Sequence, residues 1–184
     1  MIGPELFEQC KRKDGRAQQS LYMLYKARLM GLCRRYAADR EEAQDILQEA
    51  FIKIFTNIHQ VSAAGKLEGW MKSVAVRTAI DHYHKRKRSI VFPETDHTPE
   101  VASADYETML DNLTDEYLVS LVNGLPEGCR LVFNLFVVEG YSHTEIAGLL
   151  GITEGTSRSQ LHHAKFLLKQ RLTTLGVKRY EKLA

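Results

Sequence analysis

Tyr141-Ser-His-Thr-Glu-Ile-Ala-Gly-Leu-Leu-Gly-Ile-Thr-Glu-Gly-Thr-Ser-Arg-Ser-Gln-Leu161 has the spacing of two short helices joined by a tight turn. Gly151 suits the exit of the first helix, because it has no Cβ to collide at positive φ. Thr153 stands where a hydroxyl accepts an orphan backbone N–H, so a second helix is expected from 154. Ala147 is small enough for the two helices to approach closely. Along the second helix Ser157, Leu161, Ala164, Leu168 and Leu172 share an inner face. Arg158, Ser159, His162, His163, Lys165 and Lys169 are left mostly outside. This is a helix-turn-helix pattern, with donors turned toward base edges and cations toward phosphates. An ordinary amphipathic helix with a solvated basic face accounts for the charges. It does not account for Glu-Ile-Ala, paired leucines, Gly-Ile and a capped basic helix together.

Outward from this segment the pattern stays helical. Residues 20–37 carry Leu21, Leu24, Tyr25, Leu29 and Leu32 near helical spacing. Residues 41–58 carry Ala43, Ile46, Leu47, Ala50, Phe51, Ile54, Phe55 and Ile58 on one stripe, with Asp39 as N-cap. Glu41 and Glu42 fall in the first turn, where the helix dipole favours negative charge. A third helix is expected over 67–88, with Trp70, Met71, Val74 and Thr78 on one side. Residues 62–65 break the pattern before it. Pro93 and Pro99, among acidic and small residues, mark a linker at 91–103. Residues 105–123 return to an acidic helical pattern. Pro126 opens another helix through 138, which Gly140 ends. The helix-turn-helix then places helices at 142–150 and 154–172. The expected fold is all-α: two small helical modules at 1–88 and 113–184, joined by a flexible acidic linker at 89–112.

Charge supports that division. The 184 residues carry a formal charge of +2, but the charge is partitioned. Residues 1–88 sum to +7, residues 89–129 to −9 and residues 130–184 to +4. Two basic blocks around an acidic one point to polyanion binding at both ends. No apolar run is long enough to cross a membrane, and the start lacks the apolar core of a signal peptide. Cys10, Cys33 and Cys129 are odd in number and far apart, which fits reduced thiols in the cytoplasm. The pairs His82–His84 and His162–His163 do not face one another on a helix, and no Cys or carboxylate completes a ligand set. No metal or other cofactor is expected.

Two further faces stand out. On the helix at 41–58, Asp45, Gln48 and Glu49 lie opposite the apolar stripe, with Ile52 in their midst. An apolar centre with a polar rim suits protein docking. From geometry alone, a stray surface isoleucine is an equally good reading. The helix at 67–88 ends in Asp81-His-Tyr-His-Lys-Arg-Lys-Arg88, and residues 71–88 hold six Lys and Arg against Asp81 alone. Cations interleaved with planar side chains suit phosphates and unstacked bases. The helix dipole alone explains a few of these charges and four consecutive cations less well.

These pieces in order resemble the extracytoplasmic-function (ECF) group of bacterial RNA polymerase sigma factors. The resemblance covers about 21–88 and 125–172. Ala43-Gln-Asp-Ile-Leu-Gln-Glu-Ala-Phe-Ile-Lys-Ile-Phe55 is similar to the region-two helix that docks on the coiled coil of the polymerase β′ subunit. It implies that Asp45, Gln48, Glu49 and Ile52 bind core polymerase. Gly69-Trp-Met-Lys-Ser-Val-Ala-Val-Arg-Thr-Ala-Ile-Asp-His-Tyr-His-Lys-Arg88 is similar to the promoter-melting and −10 recognition helix. It implies that Arg77, Thr78, Asp81 and His84 line the strand's path, that Lys85, Arg86, Lys87 and Arg88 contact phosphates, and that the loop near Asn57–Lys66 holds a flipped base of the non-template −10 strand. Leu125-Pro126 and the helix-turn-helix are similar to region four, which reads the −35 element. There Arg158, Ser159, Gln160, His162 and His163 are implied at the bases, Lys165 and Lys169 at the backbone, and Thr156 among the DNA-binding residues of the same region. Trp70 reads as core.

The resemblance further implies contacts with the β flap, a separate anti-sigma factor as partner, action in the cytoplasm and no enzymatic activity. The chain departs from the group at Thr78, usually Asn, and at His84, usually Arg. It departs again at Ser157, usually Val, and at Gln160, usually basic. No phosphate-binding loop or nucleophile–base pair appears. A helix-turn-helix regulator acting without polymerase leaves the Asp45–Ile52 face unexplained. A metal nuclease finds only Asp45 and Glu49 as candidate carboxylates.

Overall fold

The computed structural model describes residues 2–89 and 115–174. The chain divides into two compact units, within residues 1–91 and 92–184. The expected linker at 91–103 and the acidic helical pattern at 105–114 lie outside the described residues. The two units are taken separately below.

Among its described residues the first unit has four α-helices. Pro4–Lys11 (α1) begins with Pro at its first position, where a missing N–H costs nothing, and buries Phe7 and Cys10. The sequence pattern does not announce α1, because eight residues hold too few turns for an apolar stripe to show. Lys13 reverses the chain at φ 62°. The Asp14 side chain then accepts from the Ala17 N–H at 2.8 Å, and Gly15–Tyr36 (α2) starts there, five residues before the expected position. Asp39 caps Arg40–Asn57 (α3) by accepting from the Glu42 N–H at 2.8 Å, as expected. Short 3₁₀ turns at Ile58–Gln60 and Ala64–Lys66 lead into Leu67–Ser89 (α4).

Helices α2, α3 and α4 pack on one another, and α1 packs on α2. Leu21, Tyr25 and Leu29 of α2, Ile46 and Ile54 of α3, and Met71, Val76 and Ile80 of α4 are all buried. Tyr22 and Phe51 meet at 4.7 Å between ring centroids, tilted by 59°. Trp70 is half-buried at the edge of this core. The stripe expected on α3 faces inward over its whole length, which turns the opposite side of that helix to water.

Among its described residues the second unit has four α-helices, three of them packed on the last. These are Asp115–Asn123 (α5), Glu127–Phe133 (α6), His143–Leu150 (α7) and Glu154–Thr174 (α8). The expected helix through 138 is α only to Phe133. It continues as a π turn over Asn134–Val138, with the Glu139 N–H bonded to the Asn134 carbonyl at 3.0 Å. Leu125, Cys129 and Ala164 form a core on which Val122, Phe133, Leu167 and Leu168 pack. Arg171, which sequence reading passed over, donates to the carbonyls of Leu121 and Gly124 at 3.1 and 2.8 Å. It thereby satisfies orphan acceptors at the end of α5.

The elbow between α7 and α8 is built from local chemistry. Ser142 and Glu145 form a reciprocal capping box at the start of α7. Gly151 leaves α7 in the left-handed region at φ 65°, ψ 37°. The Thr153 hydroxyl accepts from the Thr156 N–H at 3.0 Å and starts α8. Ser157 is fully buried on the inner face of α8, and its hydroxyl is hydrogen-bonded to His143 Nδ1 at 2.8 Å. The His143 ring stacks on Phe136 with centroids 4.5 Å apart.

Open space surrounds the Cβ position at Gly151, so a substitution there meets only backbone strain. Gly151→Ala should therefore lower the stability of the second unit by about 1–2 kcal/mol. Gly151→Asn should lose less, because asparagine tolerates this conformation. Urea unfolding of the two variants tests this, and equal midpoints for wild type and Gly151→Ala would refute it.

Candidate functional site

Three surfaces carry the residues singled out in the sequence, two on the first unit and one on the second.

The first is the water side of α3. Asp45 and Gln48 are exposed, and Ile52 is 66% exposed between them. Glu49 is differently placed. Its carboxylate receives Lys53 Nζ at 2.9 Å, the His82 Nε2–H at 2.8 Å and Lys85 Nζ at 3.6 Å. Lys53 Nζ also reaches Asp81 Oδ2 at 3.0 Å. The hydrogen bond from Lys53 is the main cause that holds the Glu49 carboxyl down at about 2. Partial burial opposes it, and His82 and the Lys85 charge assist. Glu49 is thus held within a bridge from α3 to α4, while Asp45, Gln48 and Ile52 remain presented to solvent. Lys53 and His82, which carry that bridge, were not singled out as site residues. Each looks like an ordinary surface residue until the two helices are packed.

The second surface is the outer side of α4. Arg77, Asp81, His84, Lys85 and Arg88 follow positions i, i+4, i+7, i+8 and i+11, so one helix face presents them. Asp81, His84, Lys85, Lys87 and Arg88 line a shallow recess of about 360 Å³. The Arg88 Nε–H donates to the His84 carbonyl at 3.2 Å, and the His84 ring lies 5.3 Å from the Tyr83 ring. Lys66 is exposed on the turn that precedes α4.

Two expected strand contacts fall elsewhere. Thr78 is 0% exposed, and its hydroxyl donates to the Val74 carbonyl at 2.9 Å. As the next residue it is turned roughly 100° around α4 from the face that carries Arg77, so it belongs to the core. Arg86 is half-buried and ion-paired with Glu42 of α3, so it fastens the helices together on the side away from the recess.

The third surface is the outer side of α8. Thr156, Arg158, Ser159, His162, His163, Lys165 and Lys169 are all exposed. Thr156 also serves the helix cap, and the Ser159 hydroxyl donates to the Thr156 carbonyl at 2.9 Å. Gln160 is corrected: it is half-buried, and its Oε1 accepts from Cys129 Sγ at 2.8 Å. Its amide also crowds Gly128 of α6, so it packs α8 on α6 and turns away from the outer face. Glu154 and Thr144 were missed. Arg158 Nη2 donates to Glu154 Oε2 at 2.9 Å, and the Thr144 hydroxyl of α7 donates to Glu154 Oε1 at 2.8 Å. The four-residue spacing of Glu154 and Arg158 is a readable signal on one helix. The contact with Thr144 needs the folded elbow.

No group of three or more His, Cys, Asp or Glu among the described residues is arranged to hold a metal ion.

Two family models match the chain. Sigma-70 region 2 matches residues 21–89, and sigma-70 region 4 matches residues 115–166. The RNA polymerase sigma-H factor of Pseudomonas aeruginosa is 29% identical over 181 residues, covering 93% of this chain and 94% of its own. The ECF RNA polymerase sigma factor SigW of Bacillus subtilis is 29% identical over 190 residues, covering 95% of this chain and 99% of its own. Among solved structures, sigma factor RpoE of Bartonella quintana in complex with the anti-sigma factor NepR is similar at a TM-score of 0.50. It shares 20% identity, covering 84% of this chain and 96% of that one. CnrH in complex with the cytosolic domain of CnrY matches at a TM-score of 0.50 and 16% identity, over 93% of this chain and 97% of that one. The last two likenesses concern the fold.

Because Glu49 is ionised far below the usual range near 4.5, its bridge stabilises the fold above that range and fades as the pH falls toward about 2. Glu49→Gln should cost roughly 1 kcal/mol at pH 6, a small figure because the bridge is about one-third exposed. The difference from wild type should shrink between pH 4.5 and 2. Urea midpoints across that range check it, and a difference that stays constant down to pH 2 would sink the assignment.

Proposed function

The chain belongs to the sigma-70 family as an ECF sigma factor, and from that membership we propose which residues carry its two tasks. Proteins of this family bind core RNA polymerase and direct initiation at promoters, and the family is non-catalytic. We propose that residues 1–88 dock on core and engage the −10 element, that residues 113–184 engage the −35 element, and that 89–112 link them. The observation that carries this reading is the order of the two regions along one chain, each within its own compact unit.

Docking is assigned to Asp45, Gln48 and Ile52, with Glu49 at the margin, against the coiled coil of the polymerase β′ subunit. Ile52 supports this reading, because a large β-branched side chain that is 66% exposed contributes little to the core. Around it the polar rim excludes water without dominating the energy.

On α4, Lys66, Arg77, Asp81, His84, Lys85 and Arg88 are assigned to the non-template strand of the −10 element. Once the duplex opens, capture of unstacked bases holds the strand apart, while cations neutralise its phosphates. Binding energy drives the opening, and no nucleotide hydrolysis by this chain is needed. Thr78 has no part in it except through the core beneath.

On α8, Arg158, Ser159, His162 and His163 are assigned to base edges in the major groove. Thr156, Lys165 and Lys169 are assigned to the groove wall and backbone. The second unit is assigned the β flap as its polymerase partner. A separate anti-sigma factor and action in the cytoplasm complete the proposal. Among the described residues no helix is long and apolar enough to cross a membrane.

The test is reconstitution. Core RNA polymerase with this chain should initiate from a promoter that core alone ignores. Ile52→Asp should weaken core binding by at least about tenfold, the scale expected for a central interface side chain, with unchanged helicity and melting. Failure of the wild-type chain to bind core or support initiation rejects the function. Unchanged core affinity of Ile52→Asp removes the docking face alone.

A further inference from the structure

We infer that Glu154 is a specificity-determining positioning residue: bridged to α7 through Thr144, it holds the Arg158 guanidinium for one base pair and away from neighbouring phosphates. The inference rests on the proposed placement of α8 in the −35 major groove.

The geometry is a three-member chain across the elbow. Thr144 on α7 donates to Glu154 Oε1 at 2.8 Å, and Arg158 on α8 donates to Glu154 Oε2 at 2.9 Å. The carboxylate is therefore fixed from both helices before DNA arrives. Its place in the first turn of α8 suits the helix dipole, which alone explains an acidic residue there. The dipole does not explain why both oxygens are engaged, one by each helix of the motif.

Stability does not explain it either. The Arg158 side chain is 63% exposed and that of Glu154 40% exposed, and a partly solvated pair of this spacing adds little to stability. The first turn of α8 is already capped by Thr153.

The consequence for binding is larger. An unrestrained arginine beside duplex DNA has many phosphate oxygens within reach and few base edges, and a phosphate contact carries no sequence information. Tying one Nη to Glu154 removes much of the side chain's freedom before binding. It leaves four of the five N–H donors for a partner. The partner that matches an arginine fork is guanine, through O6 and N7.

The negative charge of Glu154 repels phosphates of every sequence equally, whereas its hold on Arg158 acts at a single base pair. Affinity is lost everywhere and discrimination is gained in one place, which is how a specificity device works.

The experiment is a selection. Holoenzyme made from core polymerase and the full chain binds a promoter library randomised through the −35 element, upstream of a fixed −10 element that wild type transcribes. R158A should flatten the preference for guanine at one base pair. E154A should flatten the same pair by about tenfold, the scale of one good bidentate contact. Its binding to unselected duplex should be unchanged or tighter. The double variant should be no flatter than R158A. E154Q should keep most of the preference, because its amide oxygen accepts from Arg158 and its amide nitrogen donates to Thr144. T144V should fall between E154A and wild type. Matching melting temperatures for E154A and wild type separate these effects from folding.

An E154A preference identical to wild type overturns the inference. So does flattening at a different base pair, or additively with R158A, because Glu154 would then read a base itself. If R158A leaves every preference intact, the placement of Arg158 falls and the inference with it. If wild-type holoenzyme enriches no −35 sequence, the promoter reading itself falls.

Discussion

The packing of α3 against α4 is the constraint on which the first unit turns. The Glu49 carboxylate is shared by Lys53 on its own helix and by His82 and Lys85 on the next, and Lys53 passes on to Asp81. Arg86 and Glu42 repeat the connection farther along the two helices. Together with the buried Ile46, Ile54, Met71, Val76 and Ile80, these contacts set the rotation of α4 about its axis relative to α3. That rotation decides which residues of α4 look outward. With Thr78 and Tyr83 buried and Arg86 drawn to α3, the open side is left to Arg77, Asp81, His84, Lys85 and Arg88. The proposed docking face on α3 and the proposed strand-facing side of α4 are thus two sides of one helix pair.

How much of this was legible in the sequence depends on how far apart the cause and the effect lie. The stripe from Ala43 to Ile58, the Asp39 cap, the Gly151 exit and the Thr153 cap are local. Each is decided by residues within about one turn of itself, and each is in the structure where its pattern places it. Helix α1 was hidden by its length, and the π turn after Phe133 has no sequence period of its own. The site errors have another origin. Gln160 lies on the flank of α8, where helical spacing alone cannot say whether a side chain turns out or in. Cys129, thirty-one residues earlier, supplies the partner that turns it in. Thr78 was carried over by resemblance, although its own place on the stripe with Met71 and Val74 already pointed inward. Glu49 was read from one helix, while its partners His82 and Lys85 come from another.

A parallel between the two units follows from these corrections. Each basic surface holds one carboxylate bound to a cation: Asp81 with Lys53 on the first, Glu154 with Arg158 on the second. In both cases the carboxylate lies among residues assigned to nucleic acid. A surface selected for polyanion affinity alone would dispense with it, since each negative charge opposes phosphate binding. On the proposed roles, the acidic members lower the gain from any phosphate backbone and leave a larger share of the binding energy to base contacts. The same logic extends to the whole chain. Charges of +7 and +4 on the flanking blocks, with −9 on residues 89–129, reduce the long-range pull toward duplex DNA of any sequence. Recognition then depends on contacts made at close range. On the proposed roles, close-range contacts on α4 form only where a strand has been opened. A protein so balanced is poorly suited to holding promoters by itself and well suited to choosing among them as part of a larger assembly.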